Sequence, residues 1–162
     1  MIRKYRDEDF KFLKSWVTDP FLLFQFAGPG WKFPLTEEQI RQHQLLYPFK
    51  QLYMGCDDNG DAYAIGEIIT NEPHSPRLGR LLVGEKDLRG KGLGTKFINE
   101  LIDECKRLHP ADSICLFVME GNDSAIHCYL KLGFRFSDEE IPDMIYEGVP
   151  RKILKMRFES RL

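Results

Sequence analysis

The residues with the most chemical potential lie between positions 89 and 96. Arg89-Gly90-Lys91-Gly92-Leu93-Gly94 stands between an apolar stretch at 80–83 and a long amphipathic segment, with Thr95 and Lys96 following. A glycine-rich turn that opens a helix leaves successive backbone N–H groups without partners, and the helix dipole lies behind them. Glycine lets a ligand approach closely, and Arg89, Lys91 and Lys96 surround the turn with positive charge suited to several phosphates. The same glycines also serve simply as a tight turn. A nucleoside-triphosphate loop, GxxxxGK followed by Ser or Thr, is excluded, because the fifth residue after Gly90 is Thr95. The dinucleotide pattern GxGxxG fails as well, since Gly94 comes one position early.

A second constellation lies in VMEGNDSAIHCYLKLGF, residues 118–134, where Asn122, Ala125, Tyr129, Lys131, Gly133 and Phe134 are spaced along a capped short helix. Alone, Asn122 reads as an N-cap and Tyr129 as a core tyrosine. Together, in this order, the two segments resemble the signature of the GNAT N-acetyltransferases, with Arg89 to Gly94 matching that family's acyl-CoA pyrophosphate loop at every position. The resemblance implies acetyl-CoA as acetyl donor, held by Leu82, Val83, Arg89, Gly90, Lys91, Gly92, Leu93, Gly94, Thr95, Asn122 and Lys131. It also implies direct attack by a primary amine in a ternary complex, with Tyr129 as the acid. The acceptor would be a small-molecule amine (aminoglycoside, polyamine or amino acid) or a protein N-terminus. The 83–87 loop and Trp16-Val17-Thr18-Asp19-Pro20 look most like the ribosomal-protein N-terminal and aminoglycoside 6′-type branch.

The chemistry sets its own requirements. Aminolysis of a thioester needs a neutral amine, a polarised carbonyl and an acid for the departing thiolate. A phenol, with a reference pKa of about 10, can protonate a thiolate of about 8.5 without ionising at neutral pH. For the base, Glu67 ranks before Glu72 and Glu85, because mid-strand burial between apolar neighbours would raise its pKa towards a useful range. Its other reading is a solvent-facing strand residue. A non-catalytic acyl-CoA-binding sensor is the competing function, and the retention of Tyr129 speaks for the enzyme.

These residues need elements to position them. Residues 2–6 alternate as a short strand, and Asp7 is placed to cap a helix over 9–17. Asp19-Pro20 ends it, and residues 21–34, with Gly28-Pro29-Gly30 and Pro34, read as an irregular aromatic loop in which Phe24, Gln25, Phe26 and Trp31 are placed to wall a pocket. Thr36 to Gln39 is a capping box for a helix ending near Tyr47-Pro48. Residues 51–56 and 62–70 form a hairpin around Asp57-Asp58-Asn59-Gly60. A strand at 78–83, the 93–108 helix and a strand at 113–119 make a parallel crossover unit. After the 125–132 helix, a strand at 134–136, a polar loop at 138–150 and a closing strand at 151–158 complete the chain. The fold implied is mixed α/β, with a centrally splayed sheet of six to seven strands flanked by helices, the acyl-CoA N-acyltransferase fold.

At 162 residues, 43% hydrophobic and 30% charged, the chain fits a single domain with its own core. A formal net charge of −2 offers no general attraction to nucleic acid or anionic membrane. The apolar run at 114–119 is too short to span a bilayer, so a cytoplasmic protein is expected, with room for a homodimer. Four cysteines without CxxC spacing read as reduced core residues, and four scattered histidines imply no metal. Acidic residues at 138–147 would suit a cationic acceptor or simply form a solvated loop.

Overall fold

A computed structural model describes residues 1–72, 74–108 and 112–159. Along these residues run β1 (Ile2–Lys4), α1 (Phe10–Trp16), α2 (Pro20–Ala27), α3 (Glu37–Leu46), β2 (Lys50–Cys56), β3 (Ala62–Ile69), β4 (Arg77–Val83) and α4 (Leu93–Leu108). Then come β5 (Ser113–Met119), α5 (Asp123–Leu132), β6 (Arg135–Phe136), β7 (Met144–Tyr146), β8 (Val149–Arg151) and β9 (Ile153–Glu159). The main sheet has the order β1-β2-β3-β4-β5-β9-β6. Its neighbours are antiparallel except β4 and β5, which are parallel and joined by α4, as expected for a crossover unit.

The sheet opens in its middle. β5 pairs with β9 from Ser113↔Glu159 to Met119↔Ile153, and β4 pairs with β3 out to Val83, yet β4 and β5 pair only at Arg77↔Cys115 and Leu78↔Leu116. Between Glu67↔Gly79 and Ile65↔Leu82, β4 carries Arg80 and Leu81 against the single residue Gly66. This bulge, with Arg80 at φ 45, turns β4 away just where the two parallel strands part.

Alternation along the strands fills both faces. On one, Phe97, Ile98, Leu101, Ile102 and Cys105 of α4 cover Ile114 and Leu116, and Phe134 closes the layer. The apolar stripe of α4 has the expected helical spacing, but Leu108 lies past the sheet and is exposed. On the other face, Leu13, Trp16, Leu23 and Ile40 from the three N-terminal helices cover Met54 and Ile65. Each large side chain buried in these layers contributes about 1.5–3 kcal/mol. Cys56, Cys105 and Cys115 are buried free thiols in the core, as expected, whereas Cys128 is half-buried. None of the described helices is long and apolar enough to cross a membrane.

Four local expectations are corrected. Residues 20–27, expected as loop, are helical: Asp19 Oδ1 accepts the Leu22 N–H at 2.8 Å, and Pro20 occupies the first turn, where its missing N–H costs nothing. The first helix is held by Asp9 rather than Asp7, for the buried Asp9 carboxylate accepts the Arg6 N–H and both Arg3 nitrogens, each at 2.8 Å. Thr36 accepts the Gln39 N–H at 3.3 Å, but the Gln39 amide turns to the Lys32 backbone instead of completing the box. Residues 144–151 form the β7–β8 hairpin, since Glu147 and Gly148 both take the left-handed conformation that a two-residue turn requires.

Candidate active site

The glycine turn is built as an open anion cradle. Among the described residues no backbone acceptor takes the N–H groups of Leu93, Gly94 or Thr95; the first to find one is Lys96, on the Gly92 carbonyl at 3.1 Å. Gly90 and Gly92 have φ of 79° and 84°, and a Cβ at either would meet nothing within 4 Å. The space in front of the turn is therefore clear for a phosphate. Gly94 serves packing instead, with its Cβ direction 3.6 Å from Val83 Cγ2. Arg89 departs from expectation: its Nε donates to the Val83 carbonyl at 2.8 Å and its second terminal nitrogen to the Gly84 carbonyl at 3.1 Å. It fastens the turn to the end of β4, which leaves Lys91 and Lys96, both exposed, as the free cations beside it.

α5 is docked on the same helix end, with Thr95 Oγ1 3.5 Å from Cys128 Sγ. Asn122 occupies the N-cap position but makes no side-chain cap bond, contrary to the capping role expected of it. Gly133, at φ 107, ends the helix as expected. Lys131 is exposed. Tyr129 lies in the core layer with Leu78 and Val118, edge-on to Phe134 at 6.1 Å, and is 7% exposed. Burial pushes its phenol well above the usual range, and the neighbouring Cys128 acts in the same direction. The phenol is thus protonated at neutral pH.

A cleft fills the gap between β4 and β5. It is lined by Arg77, Gly79 and Arg80 on one side, Phe117 and Met119 on the other, and Phe24 of α2 over the top, with Gln25, Phe26 and Met144 at its margin. The aromatic segment expected to wall a pocket does so at Phe24, Gln25 and Phe26. Trp31 instead stacks on Arg80, its ring 4.6 Å from the guanidinium carbon.

Glu67 is neither solvent-facing nor poised as a base. It is fully buried, with Oε1 accepting from Arg80 at 2.8 Å and Oε2 2.5 Å from His43 Nε2. Burial alone would push its carboxyl up, but the His43 hydrogen bond and the Arg80 charge outweigh it and hold the group below the ordinary carboxylate range. The expected upward shift is therefore reversed. Glu72 is exposed beyond β3, and Glu85 accepts from Trp16 Nε1 at 3.3 Å. His43, Arg77 and Arg80 carry no motif, and Arg80 reaches Glu67 only because of the bulge.

The sequence model of the family described as "Acetyltransferase (GNAT) family" matches residues 10–134. A probable spermine N(1)-acetyltransferase of Bacillus subtilis subsp. natto (strain BEST195) is 38% identical over 55 residues, 34% of this chain and 36% of that protein. A spermine/spermidine N(1)-acetyltransferase of Bacillus subtilis (strain 168) is 37% identical over 62 residues, 38% of this chain and 40% of that protein. The matched segments thus span well under half the length of these curated relatives. The crystal structure of a spermidine N-acetyltransferase from Vibrio cholerae in complex with CoA and spermine superposes with a TM-score of 0.80 at 15% identity, covering 98% of this chain and 94% of that one. With a family match over most of its length and the splayed sheet, glycine cradle and docked tyrosine helix all in place, the chain belongs to the GNAT acetyltransferase family.

Proposed function

We propose that the protein transfers an acetyl group from acetyl-CoA to the nitrogen of a primary amine. The observation that carries this reading is the gap between β4 and β5, which opens next to unpartnered N–H groups at the start of α4. The residues fit the donor. Backbone N–H groups of Gly92 to Thr95 would hold the pyrophosphate, with Lys91 and Lys96 adding charge. The edge of β4 at Arg80 to Val83, unpaired on its β5 side, would accept the amides of the pantetheine arm as a strand accepts another. Asn122, whose side chain makes no cap bond, and Lys131, both on the helix that Cys128 docks against Thr95, would add contacts to the donor.

Acetyl-CoA supplies the activated acyl thioester. The amine nitrogen attacks the carbonyl carbon, a C–N bond forms, and the C–S bond breaks with its electron pair on sulfur. Tyr129 gives its proton to that thiolate and recovers one, through solvent, from the proton the nitrogen loses. Because burial raises the phenol, this transfer requires the thiolate to be desolvated to a similar degree. Glu67, held ionised, is assigned to fixing Arg80 and His43 rather than to abstracting a proton. Among the described residues no cysteine, serine or histidine lines the cleft, which supports direct attack in a ternary complex over an acetylated enzyme.

Polyamines are the acceptors in the names of the two Bacillus relatives, and those names do not point to the ribosomal-protein or aminoglycoside branch. Thiol release from acetyl-CoA over a panel of amines tests the reading. Turnover with at least one amine is expected; acetyl-CoA binding without thiol release from any of them would replace the enzyme with a sensor module.

A further inference from the structure

The cleft opens on the face of the sheet that α2 covers, opposite α4 and its glycine turn; we take this face as the acceptor's, and it is cationic. Arg77 places its guanidinium 4.5 Å from the Phe117 ring, and among the described residues it has neither a hydrogen bond nor an ion pair. Beside it, Arg80 is bound to Glu67. Lys50, with Nζ 4.2 Å from the Tyr47 ring, likewise makes no ion pair among the described residues. Burial lowers the pKa of both Lys50 and Arg77, and for each the Arg80 charge adds to that effect while Glu67 opposes it. Among the described residues neither Arg77 nor Lys50 has a carboxylate of its own, and the two oxygens of Glu67 are taken by Arg80 and His43. In the hairpin, Arg151 pairs with Met144, which lines the cleft, and lies 5.5 Å from the Phe21 ring, among the described residues again without an ion pair. Among the described residues no Asp or Glu lines the cleft.

The acidic residues that would suit a polycation are elsewhere. Asp138, Glu139, Glu140 and Asp143 line a separate groove with Phe136 and Lys155. Glu139 is further engaged by Lys155. A spermidine chain in the cleft would set its ammonium groups against charges of the same sign, which electrostatic complementarity disfavours.

We propose that the acceptor is a small amine carrying its own anion, a carboxylate or a phosphonate, and that Arg77 is the residue that binds it. A guanidinium stacked on an aromatic face presents its fork to two oxygens of a carboxylate or a phosphonate, and the surrounding Phe24, Phe117 and Met119 suit an apolar body. A free α-amino acid with an apolar side chain has this combination. The inference rests on the transferase reading and narrows its substrate.

The test is acetyl-CoA thiol release with methionine, phenylalanine, their methyl esters, aminomethylphosphonate and spermidine. At least one anionic amine should exceed its ester by on the order of a hundredfold in kcat/KM, the scale of a lost charge-assisted contact. Comparison of the amino acids with aminomethylphosphonate separates carboxylate from phosphonate. Arg77→Met should remove the acid-over-ester preference in kcat/KM while leaving acetyl-CoA affinity by calorimetry within a few-fold; Arg77→Lys should restore part of the preference. Spermidine or the esters outrunning every anionic amine would overturn the inference and leave the transferase standing. Thiol release from no amine would overturn both. If Arg77→Met does not fold, the acid-to-ester ratio of the unaltered protein decides.

Discussion

Trp16 lies flat against Gly84: a Cβ at Gly84 would come within 2.1 Å of the Trp16 ring carbons Cδ2 and Cε2. The first helix is thereby pressed onto the residue that follows β4, and Trp16 Nε1 donates to Glu85 one position further on. Gly84→Ala should force the indole out of a site where it is only 4% exposed, at a cost of about 3 kcal/mol. A urea midpoint unchanged from the unaltered protein would show that the contact is looser than the geometry says.

Gly92→Val tests the cradle. The position has φ 84 and open space before it, so the new side chain strains the turn and fills the path of an incoming phosphate. Acetyl-CoA affinity in calorimetry should fall on the order of a hundredfold or more, equivalent to about 2.7 kcal/mol, with a near-normal melting temperature. Unchanged affinity would remove the turn from the donor site.

Tyr129→Phe keeps the ring against Phe134 and removes only the hydroxyl. As the acid for the thiolate, Tyr129 should account for about 10²- to 10⁴-fold of kcat, with little change in acetyl-CoA affinity. A purely structural tyrosine gives the reverse: full kcat, with any loss confined to the melting temperature.

Asp9 makes stability depend on acid pH. Burial pushes its carboxyl up, but the two bonds from Arg3 and the Arg6 N–H prevail and hold its pKa below the ordinary value of about 4. The unfolded chain therefore takes up the proton first as pH falls. The stabilisation is complete above about pH 4 and is lost as pH drops through the native value. Asp9→Asn should cost about 2 kcal/mol at pH 7, the buried partner being lost while the 27% exposed Arg3 stays solvated. The difference from the unaltered protein should shrink progressively below pH 4; a constant difference from pH 7 to pH 3 would assign it to packing alone.

What the sequence showed best was whatever is encoded locally. α4 has its expected limits, Leu93–Leu108, because a stripe at helical spacing and the preceding glycines mark it without reference to the rest of the chain. Asp19-Pro20 misled because an Asp-Pro pair can stop one helix or start the next, and which it does depends on whether Leu22 supplies the N–H. The β7–β8 hairpin stayed hidden because its strands are three residues long and largely exposed, with no alternating pattern to see. Of the proposed site, the glycine turn and Tyr129 sit in contiguous motifs that local spacing alone makes visible. The Glu67–Arg80–His43 cluster is not visible in this way, since it gathers one residue each from β3, β4 and α3, and its geometry depends on a positive φ at an arginine.

The parting of β4 from β5 has a mechanical meaning. It divides the main sheet into a four-stranded plate, β1 to β4, and a three-stranded plate, β5, β9 and β6, joined edge to edge by the Arg77↔Cys115 and Leu78↔Leu116 pairings and spanned by α4. A molecule lying in the slot supplies the missing rungs and braces one plate against the other. Filling the slot and stiffening the sheet are then a single event, so slower amide exchange at Val83, whose backbone groups face away from β3, would report occupancy from the backbone itself.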